Sequence, residues 1–148
     1  MTMILLLAAL AHADVKTPAG KPAGWPTPVG TICVYEGAFV GPMGKFPLKI
    51  TRRLVELASD DTGIAFETLE MAGQSATLRS KVTVSYRMAD CEKDGGVREQ
   101  VRVRMGRFEA CRIGKEVSGQ DWFAEVPFGL ARHRLKESGW ELVSCTRP

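Results

Sequence analysis

Residues 81–88, KVTVSYRM, alternate apolar and polar side chains along their whole length. The same alternation returns at residues 101–105, VRVRM. A period of two places the apolar side chains of an extended strand on one face and the polar ones on the other. Such strands are typical of an antiparallel sheet with one packed and one solvated face. Because a loop with an Asp94-Gly95-Gly96 turn separates the two runs, we expect them to pair as a hairpin.

Turn-forming residues recur at intervals of about ten positions on both sides of this region. Between the turns, further strands are expected at 31–40, 48–58, 64–71, 107–116, 121–127, 130–136 and 140–146. The residues of 48–58 and 130–137 fit a helical pattern as well, so strand and helix both remain open there. The sequence predicts an all-β, mainly antiparallel fold: a curled sheet, half-barrel or small barrel of about nine strands.

The composition is that of an ordinary globular protein with a single domain. The chain has 148 residues, of which 25% are charged and 45% hydrophobic. Its 20 basic and 17 acidic residues give a net charge of +3. This charge is too small to indicate a nucleic-acid-binding protein, so no nucleic-acid partner is expected.

Three segments with different compositions follow one another along the chain. Residues 1–13, MTMILLLAALAHA, combine an apolar run with a small-x-small cleavage site and are predicted to be a signal peptide. The apolar run is too short to span a bilayer, and no later segment is long and apolar enough. Residues 14–30 are rich in proline and glycine and are predicted to form an extended leader. Residues 31–148 then form one antiparallel β domain of a periplasmic or secreted protein.

Four cysteines lie in the predicted mature chain: Cys33, Cys91, Cys111 and Cys145. An even number of cysteines in an oxidising compartment indicates two disulfides, for which three pairings are possible. We favour the nested pairing, Cys33–Cys145 with Cys91–Cys111, because it joins the chain ends and leaves a short inner loop. A zinc site is disfavoured because no two cysteines have ligand spacing. We expect no metal and no cofactor.

The C-terminal third contains several short motifs in a characteristic order. Gly106-Arg107-Phe108 is followed by Asp121-Trp122-Phe123-Ala124, then by Pro127-Phe128-Gly129-Leu130, and finally by Glu141-Leu142-Val143. In this order they resemble the C-terminal part of bacterial cell-envelope proteins built on a curved antiparallel sheet. That family is loosely similar to the half-barrels of lipoprotein carriers, which hold acyl chains against a concave apolar face. The resemblance implies a lipid or the acyl group of a lipoprotein as a possible ligand.

The sequence offers little for catalysis. His133 is the only histidine of the predicted mature chain and lies between Arg132 and Arg134. Asp60 and Asp61 precede Thr62-Gly63 and fit a turn better than a pair of catalytic carboxylates. Neither a nucleophile motif nor a metal-protease motif is present. We therefore expect a protein that is not an enzyme, with no catalytic residues.

Two sets of side chains are candidates for binding. An apolar ligand would be lined by the aromatic residues Phe66, Tyr86, Trp122, Phe123 and Phe128. An anionic lipid headgroup or envelope polymer would meet the cations on the polar side of the predicted hairpin, Lys81, Arg87, Arg102 and Arg104. Core packing explains the aromatic set as well as ligand binding does, and a solvated strand face is the favoured explanation of the cations. The leading hypothesis is a non-enzymatic envelope protein that binds an apolar or amphipathic ligand. The alternative is a disulfide-stapled structural or protein-interaction module with a filled core, with an envelope protein as a possible partner.

Overall fold

The computed structural model describes residues 27–58 and 61–148. Nine β-strands and a 3-10 helix, Met88–Asp90, make up the regular structure of these ranges. The strands are β1 (Ile32–Gly41), β2 (Gly44–Leu57), β3 (Thr62–Met71), β4 (Gln74–Thr83), β5 (Val97–Val103), β6 (Gly106–Lys115), β7 (Gly119–Ala124), β8 (Leu130–Leu135) and β9 (Ser138–Thr146). The predicted all-β fold is confirmed. Both segments that also fitted a helix are strands, since 48–58 lies largely in β2 and 130–137 largely in β8.

All nine strands belong to one antiparallel sheet with the order β4-β3-β2-β1-β9-β8-β7-β6-β5. The first and last strands are central neighbours, and each half of the sheet continues outward from them as a meander. Within the described ranges β4 and β5 are the two edges, so the sheet is open. Of the predicted architectures, the closed small barrel is therefore excluded.

The two faces of the sheet are named after adjacent residues of β1, the Tyr35 face and the Glu36 face. Side chains alternate between faces along each strand, and directly paired residues of neighbouring strands share a face. The Tyr35 face carries the larger core. Its buried side chains include Tyr35, Leu54, Leu69, Phe123 and Leu142.

The segment between β4 and β5, residues 84–96, joins the two edges of the sheet by crossing the Tyr35 face. Tyr86 stacks on Phe123 of β7 with ring centroids 5.2 Å apart. Cys91 is disulfide-bonded to Cys111 of β6. We call this segment the connector. Because its side chains pack onto the Tyr35 face, the connector is part of the core.

The predicted hairpin between residues 81–88 and 101–105 is wrong. A two-residue turn at Ala72 and Gly73, both with positive φ, pairs β4 with β3, and β4 ends at Thr83. Residues 101–105 begin in β5, at the opposite edge of the sheet, and β5 pairs with β6. Residues 84–88 keep the alternation of a strand because an extended connector buries alternate side chains against the sheet.

A second, smaller core lies on the Glu36 face. The β5–β6 hairpin approaches β8 and β9, and the main-chain N–H of Met105 donates to the oxygen of Leu142 over 3.2 Å. The side chains buried there are Val101, Val103, Ala110, Trp122 and Ala124. The sheet therefore buries apolar side chains on both faces, unlike the half-solvated sheet that its alternation suggests.

The four residues 27–30, predicted as the end of a leader that buries little, belong to the packed domain. Thr27 is buried, and its hydroxyl donates to the oxygen of Val84 in the connector. The N–H of Gly30 donates to the oxygen of Leu54 over 2.8 Å. The predicted signal peptide and the remainder of the predicted leader lie outside the described residues.

Both disulfides have the nested pairing that the sequence favours. Cys33 of β1 is bonded to Cys145 of β9, directly opposite it in the ladder. Cys91 is bonded to Cys111 and holds the connector against β6. The first bridge joins the central strands, which come from the two ends of the domain. The second fixes the segment that covers the Tyr35 face.

The central strands β1 and β9 approach closely at Gly37. A Cβ atom added to Gly37 would lie 1.9 Å from the main-chain oxygen of Gly139, a distance that requires the backbone to shift. We expect Gly37→Ala to destabilise the fold by about 2 kcal/mol, as overpacking does in other cores. Urea unfolding measures this.

Gly95→Ala is the matched control for Gly37→Ala. A Cβ at Gly95 meets nothing within 4 Å, and only the φ of +78° strains the new residue. Its expected cost is about 1 kcal/mol. If Gly37→Ala were no more destabilising than Gly95→Ala, close approach would not be the reason for glycine at position 37.

Candidate functional site

A row of six charged side chains and one tryptophan crosses the Glu36 face over seven neighbouring strands. The ladder registers place its members directly opposite one another. In strand order from β3 to β6 they are Glu70, Lys49, Glu36, Glu141, Arg132, Trp122 and Arg112. We call this set the ionic row. The directly opposite pairs Glu70 with Lys49 and Glu141 with Arg132 have opposite charges and stabilise the sheet, whereas Glu36 and Glu141 are like charges that need a cation beside them.

Two arginines organise the middle of the ionic row. Arg104, from the β5–β6 turn, forms ion pairs with Glu36 and Glu141, the latter over 3.7 Å. Arg132 forms an ion pair with the same Glu141 over 3.0 Å and also donates to the main-chain oxygen of Arg102. These contacts connect the β5–β6 hairpin to the central strands through charged groups. The folding of that hairpin over the Glu36 face therefore creates the centre of the site.

An open groove of about 360 Å³ lies beside this centre, along the β8–β9 hairpin. Its lining residues are Glu36, Gly37, Arg104, Arg132, His133, Arg134, Lys136, Glu137, Ser138, Gly139, Trp140 and Glu141. The four arginine and lysine residues in this lining stand against three glutamates. Because both signs are interspersed, the groove suits a polar surface with complementary charges better than an acyl chain.

At the β6–β7 end of the row, the carboxylate of Glu99 in β5 accepts two hydrogen bonds, one from an arginine and one from a tryptophan. Trp122 Nε1 donates to Glu99 over 2.6 Å, and Arg112 Nε donates to it over 3.2 Å. The Trp122 hydrogen bond, followed by that of Arg112, lowers the pKa of Glu99 from its ordinary 4.5. Arg132 lies over the ring of Trp122, 5.8 Å from its centroid. Trp122 thus joins the buried core to the ionic row.

The pKa of Glu99 should rise toward its ordinary value in Trp122→Phe, because the largest cause of the lowering is removed. A carboxyl with a lowered folded-state pKa stabilises the fold above its unfolded pKa and loses this contribution as pH falls through the folded pKa. Below pH 4.5 the stability advantage of the wild type over Trp122→Phe should therefore shrink. Carbon-13 NMR titration of Glu99 measures the pKa directly. Arg112→Gln is the control, with a smaller expected rise; a larger rise there would contradict this assignment.

His133 lies on the Tyr35 face, in a cross-strand row with Asp121 and Trp140. Its Nδ1 is 2.7 Å from the Asp121 carboxylate, and its ring stacks on Trp140 with centroids 4.1 Å apart. A histidine oriented by a carboxylate is part of many catalytic sites, but such sites also need a nucleophile or bound water beyond the ring. In the described ranges no serine, threonine or cysteine side chain hydrogen-bonds to this histidine. The geometry is that of an oriented, packed histidine.

A buried charge pair lies within the core of the Tyr35 face. Arg52 Nη2 is 3.2 Å from the Glu67 carboxylate, and their side chains are 17% and 10% exposed. The guanidinium also lies over the rings of Tyr35 and Phe128, 5.4 and 5.5 Å from the centroids. Burial raises the pKa of the Tyr35 hydroxyl. This cluster occupies the region where an apolar cavity would have to open.

The structure brings together three of the five predicted ligand-lining aromatics. Tyr86, Phe123 and Phe128 are all buried in the core of the Tyr35 face, where each is less than 5% exposed and Tyr86 stacks on Phe123. Burial, with help from Asp94 and Asp90, raises the pKa of Tyr86 to about 12. Trp122 lies on the opposite face in the second core, and Phe66 is 43% exposed in β3. These five side chains therefore do not line one common surface.

The four predicted cations are dispersed, because the hairpin that would align them does not form. Lys81 is in β4 at one edge of the sheet, and Arg102 is in β5 at the other. Arg87 lies in the connector, with Nε buried. Arg104 alone lines the groove. The groove's other charged residues were not singled out from the sequence, since they come from strands distant along the chain and share no spacing signal.

Three further features bear on the class of site. Among the described residues, no group of three histidine, cysteine, aspartate or glutamate side chains is arranged to hold a metal ion. The same residues contain no helix long and apolar enough to cross a membrane. All four cysteines are in disulfides, which are typical of proteins that fold in an oxidising compartment outside the cytosol.

Comparison with known proteins adds no relative: no protein-family model, curated protein or solved structure matches this chain. The resemblance to envelope proteins with a carrier-like sheet stays a prediction from its motifs. The class is defined by the fold, an open nine-stranded antiparallel sheet with two disulfides and a connector packed over one face.

Proposed function

We propose that this protein is a non-enzymatic, exported module of the cell envelope that binds a partner protein through the surface of a filled sheet. The supporting observation is the packing of the Tyr35 face. The connector places Tyr86 on Phe123, and the loop after β7 places Phe128, 2% exposed, over Arg52. The face that would hold an apolar ligand is occupied by the chain's own aromatic side chains.

Export to the periplasm or the exterior is part of this proposal. It is supported by the predicted signal peptide and by two disulfides that use all four cysteines. The sheet carries paired charges on one face, and two disulfides hold its strands and the connector in place. Such a surface can present a rigid, charge-complementary shape to another protein.

The competing proposal is a carrier of lipid or of a lipoprotein acyl group. For such a ligand to reach the Tyr35 face, the connector would have to move away from it. The Cys91–Cys111 bridge opposes this movement because it joins the connector to β6. Lipid binding therefore requires an opening that the second disulfide restricts.

Native mass spectrometry of protein purified from the periplasm separates the two proposals. We expect the mass of the polypeptide alone, with both disulfides formed, and no change in fluorescence when a fluorescent fatty acid is added. The matched variant Cys91→Ala with Cys111→Ala releases the connector and reports whether the covered face has affinity for the probe. A copurified lipid mass, or saturable uptake of the fatty acid by the wild type, would contradict the interaction-module proposal and support the carrier.

A further inference from the structure

Strand β4 is a long, regular edge of the sheet. Its ten residues, Gln74–Thr83, pair with Met71–Thr62 of β3 in one continuous register without a bulge. The strand contains no proline. Natural sheets commonly interrupt or cover such edges, because an unpaired row of N–H and C=O groups accepts another strand.

The hairpin turn determines which main-chain groups of β4 face outward. In a two-residue turn of this type the flanking residues, Met71 and Gln74, form the hydrogen-bonded pair, and pairs then alternate along the ladder. The even-numbered residues of β4 therefore bond to β3. The N–H and C=O groups of Ser75, Thr77, Arg79 and Lys81 point away from the sheet, and the described residues provide no strand beside them.

The other edge, β5, is treated differently. By the same alternation from its closing pair, Val103 and Gly106, the outward oxygens of β5 include that of Arg102. Arg132 donates to this oxygen, and Met105, just beyond the strand, bonds to Leu142 of β9. The protein thus covers the Arg102 end of β5 with its own groups, while no strand among the described residues lies beside β4.

The side chains along β4 indicate what kind of strand fits there. On the Glu36 face, Arg79 and Lys81 lie next to the partly exposed Phe66 and Ile64 of β3. The ion pair of Arg79 with Glu56 is 3.3 Å long with both side chains more than 60% exposed, so it competes weakly with another carboxylate. On the Tyr35 face, Ala76, Leu78 and Val82 offer apolar neighbours. A complementary strand alternates acidic and apolar residues.

We propose that β4 is the docking edge for an extended acidic segment of a partner protein, which adds to the sheet as a further antiparallel or parallel strand. This inference rests on the proposed function as a protein-interaction module and adds to it a docking edge, distinct from the groove on the Glu36 face, and the chemistry of the partner segment. Main-chain hydrogen bonds supply affinity in this mode of recognition, and alternate side chains supply specificity.

A second copy of the chain is a poor occupant of the same edge. In an antiparallel pair of β4 strands related by a two-fold axis, the outward residues of one copy lie opposite those of the other. Arg79 and Lys81 would then lie opposite or beside their own counterparts, and like charges across strands are destabilising. The same two cations that oppose self-pairing favour an acidic segment.

Binding is tested with a fluorescein-labelled peptide that alternates valine and glutamate, with fluorescence anisotropy as the measurement on the full disulfide-bonded protein. The control peptide alternates valine and lysine. We expect the acidic peptide to bind, the basic peptide not to bind, and the affinity to fall with added salt. In two-dimensional NMR the shifted amides should include those of Thr77, Arg79 and Lys81. Equal binding of both peptides, or no binding of the acidic one, would overturn the proposal.

The variant Thr77→Pro tests peptide binding at the β4 edge without removing a hydrogen bond that stabilises the fold. The Thr77 N–H points outward, so proline removes a donor to the peptide without removing one from the β3–β4 ladder. We expect peptide affinity about tenfold weaker and a nearly unchanged melting temperature, because one unsatisfied main-chain group is left in the complex. Thr77→Val, which keeps the N–H, is the matched control and should bind like the wild type. Binding by Thr77→Pro equal to that of Thr77→Val would contradict docking at this edge.

The variant Arg79→Glu with Lys81→Glu keeps the test decisive if proline perturbs the strand. We expect this variant to lose binding to the acidic peptide and to gain binding to the basic peptide. Hydrogen exchange of the free wild type adds an independent readout: Thr77 and Arg79 amides should exchange fast, and Leu78 and Ser80 slowly. Slow exchange at Thr77 would mean that the edge is already covered and would overturn the proposal. Uptake of lipid in the fatty-acid assay would refute the interaction module without affecting these peptide results.

Discussion

Removal of the Cys33–Cys145 disulfide should lower the free energy of unfolding by about 5 kcal/mol. The bridge closes a loop with a sequence separation of 112 residues, and the entropy that a cross-link removes from the unfolded chain grows with loop length. Replacement of both cysteines by alanine, followed by urea unfolding at neutral pH, measures the loss.

The Cys91–Cys111 pair is the internal comparison for this experiment. Its separation is 20 residues, for which the same reasoning gives about 3 kcal/mol. Removal of the Cys33–Cys145 bridge should therefore lower the free energy of unfolding more than removal of the Cys91–Cys111 bridge, although the latter holds the connector over the core. An equal or larger loss from the inner pair would show that anchoring the connector outweighs the restriction of the unfolded chain.

Glu67→Gln should destabilise the fold by about 3–5 kcal/mol, the range observed when one partner of a buried ion pair is removed. Arg52 cannot lose its proton at ordinary pH and would keep its charge between the rings of Tyr35 and Phe128 without a carboxylate. Chemical denaturation monitored by tryptophan fluorescence checks this loss.

Strand β3 offers a matched control for Glu67→Gln. Glu70 pairs with Lys49 of the same neighbouring strand β2, but on the Glu36 face, over 3.6 Å and with both side chains nearly half exposed. Glu70→Gln should cost less than about 1 kcal/mol. The double variant Arg52→Met with Glu67→Leu should recover most of the stability lost by Glu67→Gln. If the double variant were as unstable as Glu67→Gln, the loss of stability in Glu67→Gln would come from altered side-chain packing rather than from an unpaired charge.

Much of the architecture follows from local pattern. Nine strand segments could be predicted because turn residues such as Ala72-Gly73 and Asp94-Gly95-Gly96 separate runs with a period of two. The boundaries of β4 could not, because residues 74–80, QSATLRS, contain few strand-forming apolar residues and become a strand by pairing with β3. Residues 84–88 show the converse case: they alternate like a strand but form a connector that packs across the sheet.

The candidate site was the least predictable part. Glu36, Arg104 and Glu141 meet through an ion-pair cluster although they lie far apart along the chain. No spacing rule connects them, since they come from two central strands and a distant hairpin turn. The disulfide pairing, by contrast, could be predicted from the sequence, because the nested arrangement joins the two ends of the domain and leaves a short inner loop.

The alternation in residues 81–88 and 101–105 indicated extended backbone in an antiparallel sheet, because a period of two places successive side chains on opposite sides of an extended chain. It predicted one solvated face, and the structure instead buries apolar side chains on both faces. Strand order is a different matter. The two runs bury the same apolar side chains whether they pair with each other or lie at opposite edges of the sheet. The turn at Ala72-Gly73, which pairs β4 with β3, and the pairing of β1 with β9 place them at opposite edges. Tertiary structure therefore decided that both faces are filled, where the charged groove forms and that no strand among the described residues lies beside β4.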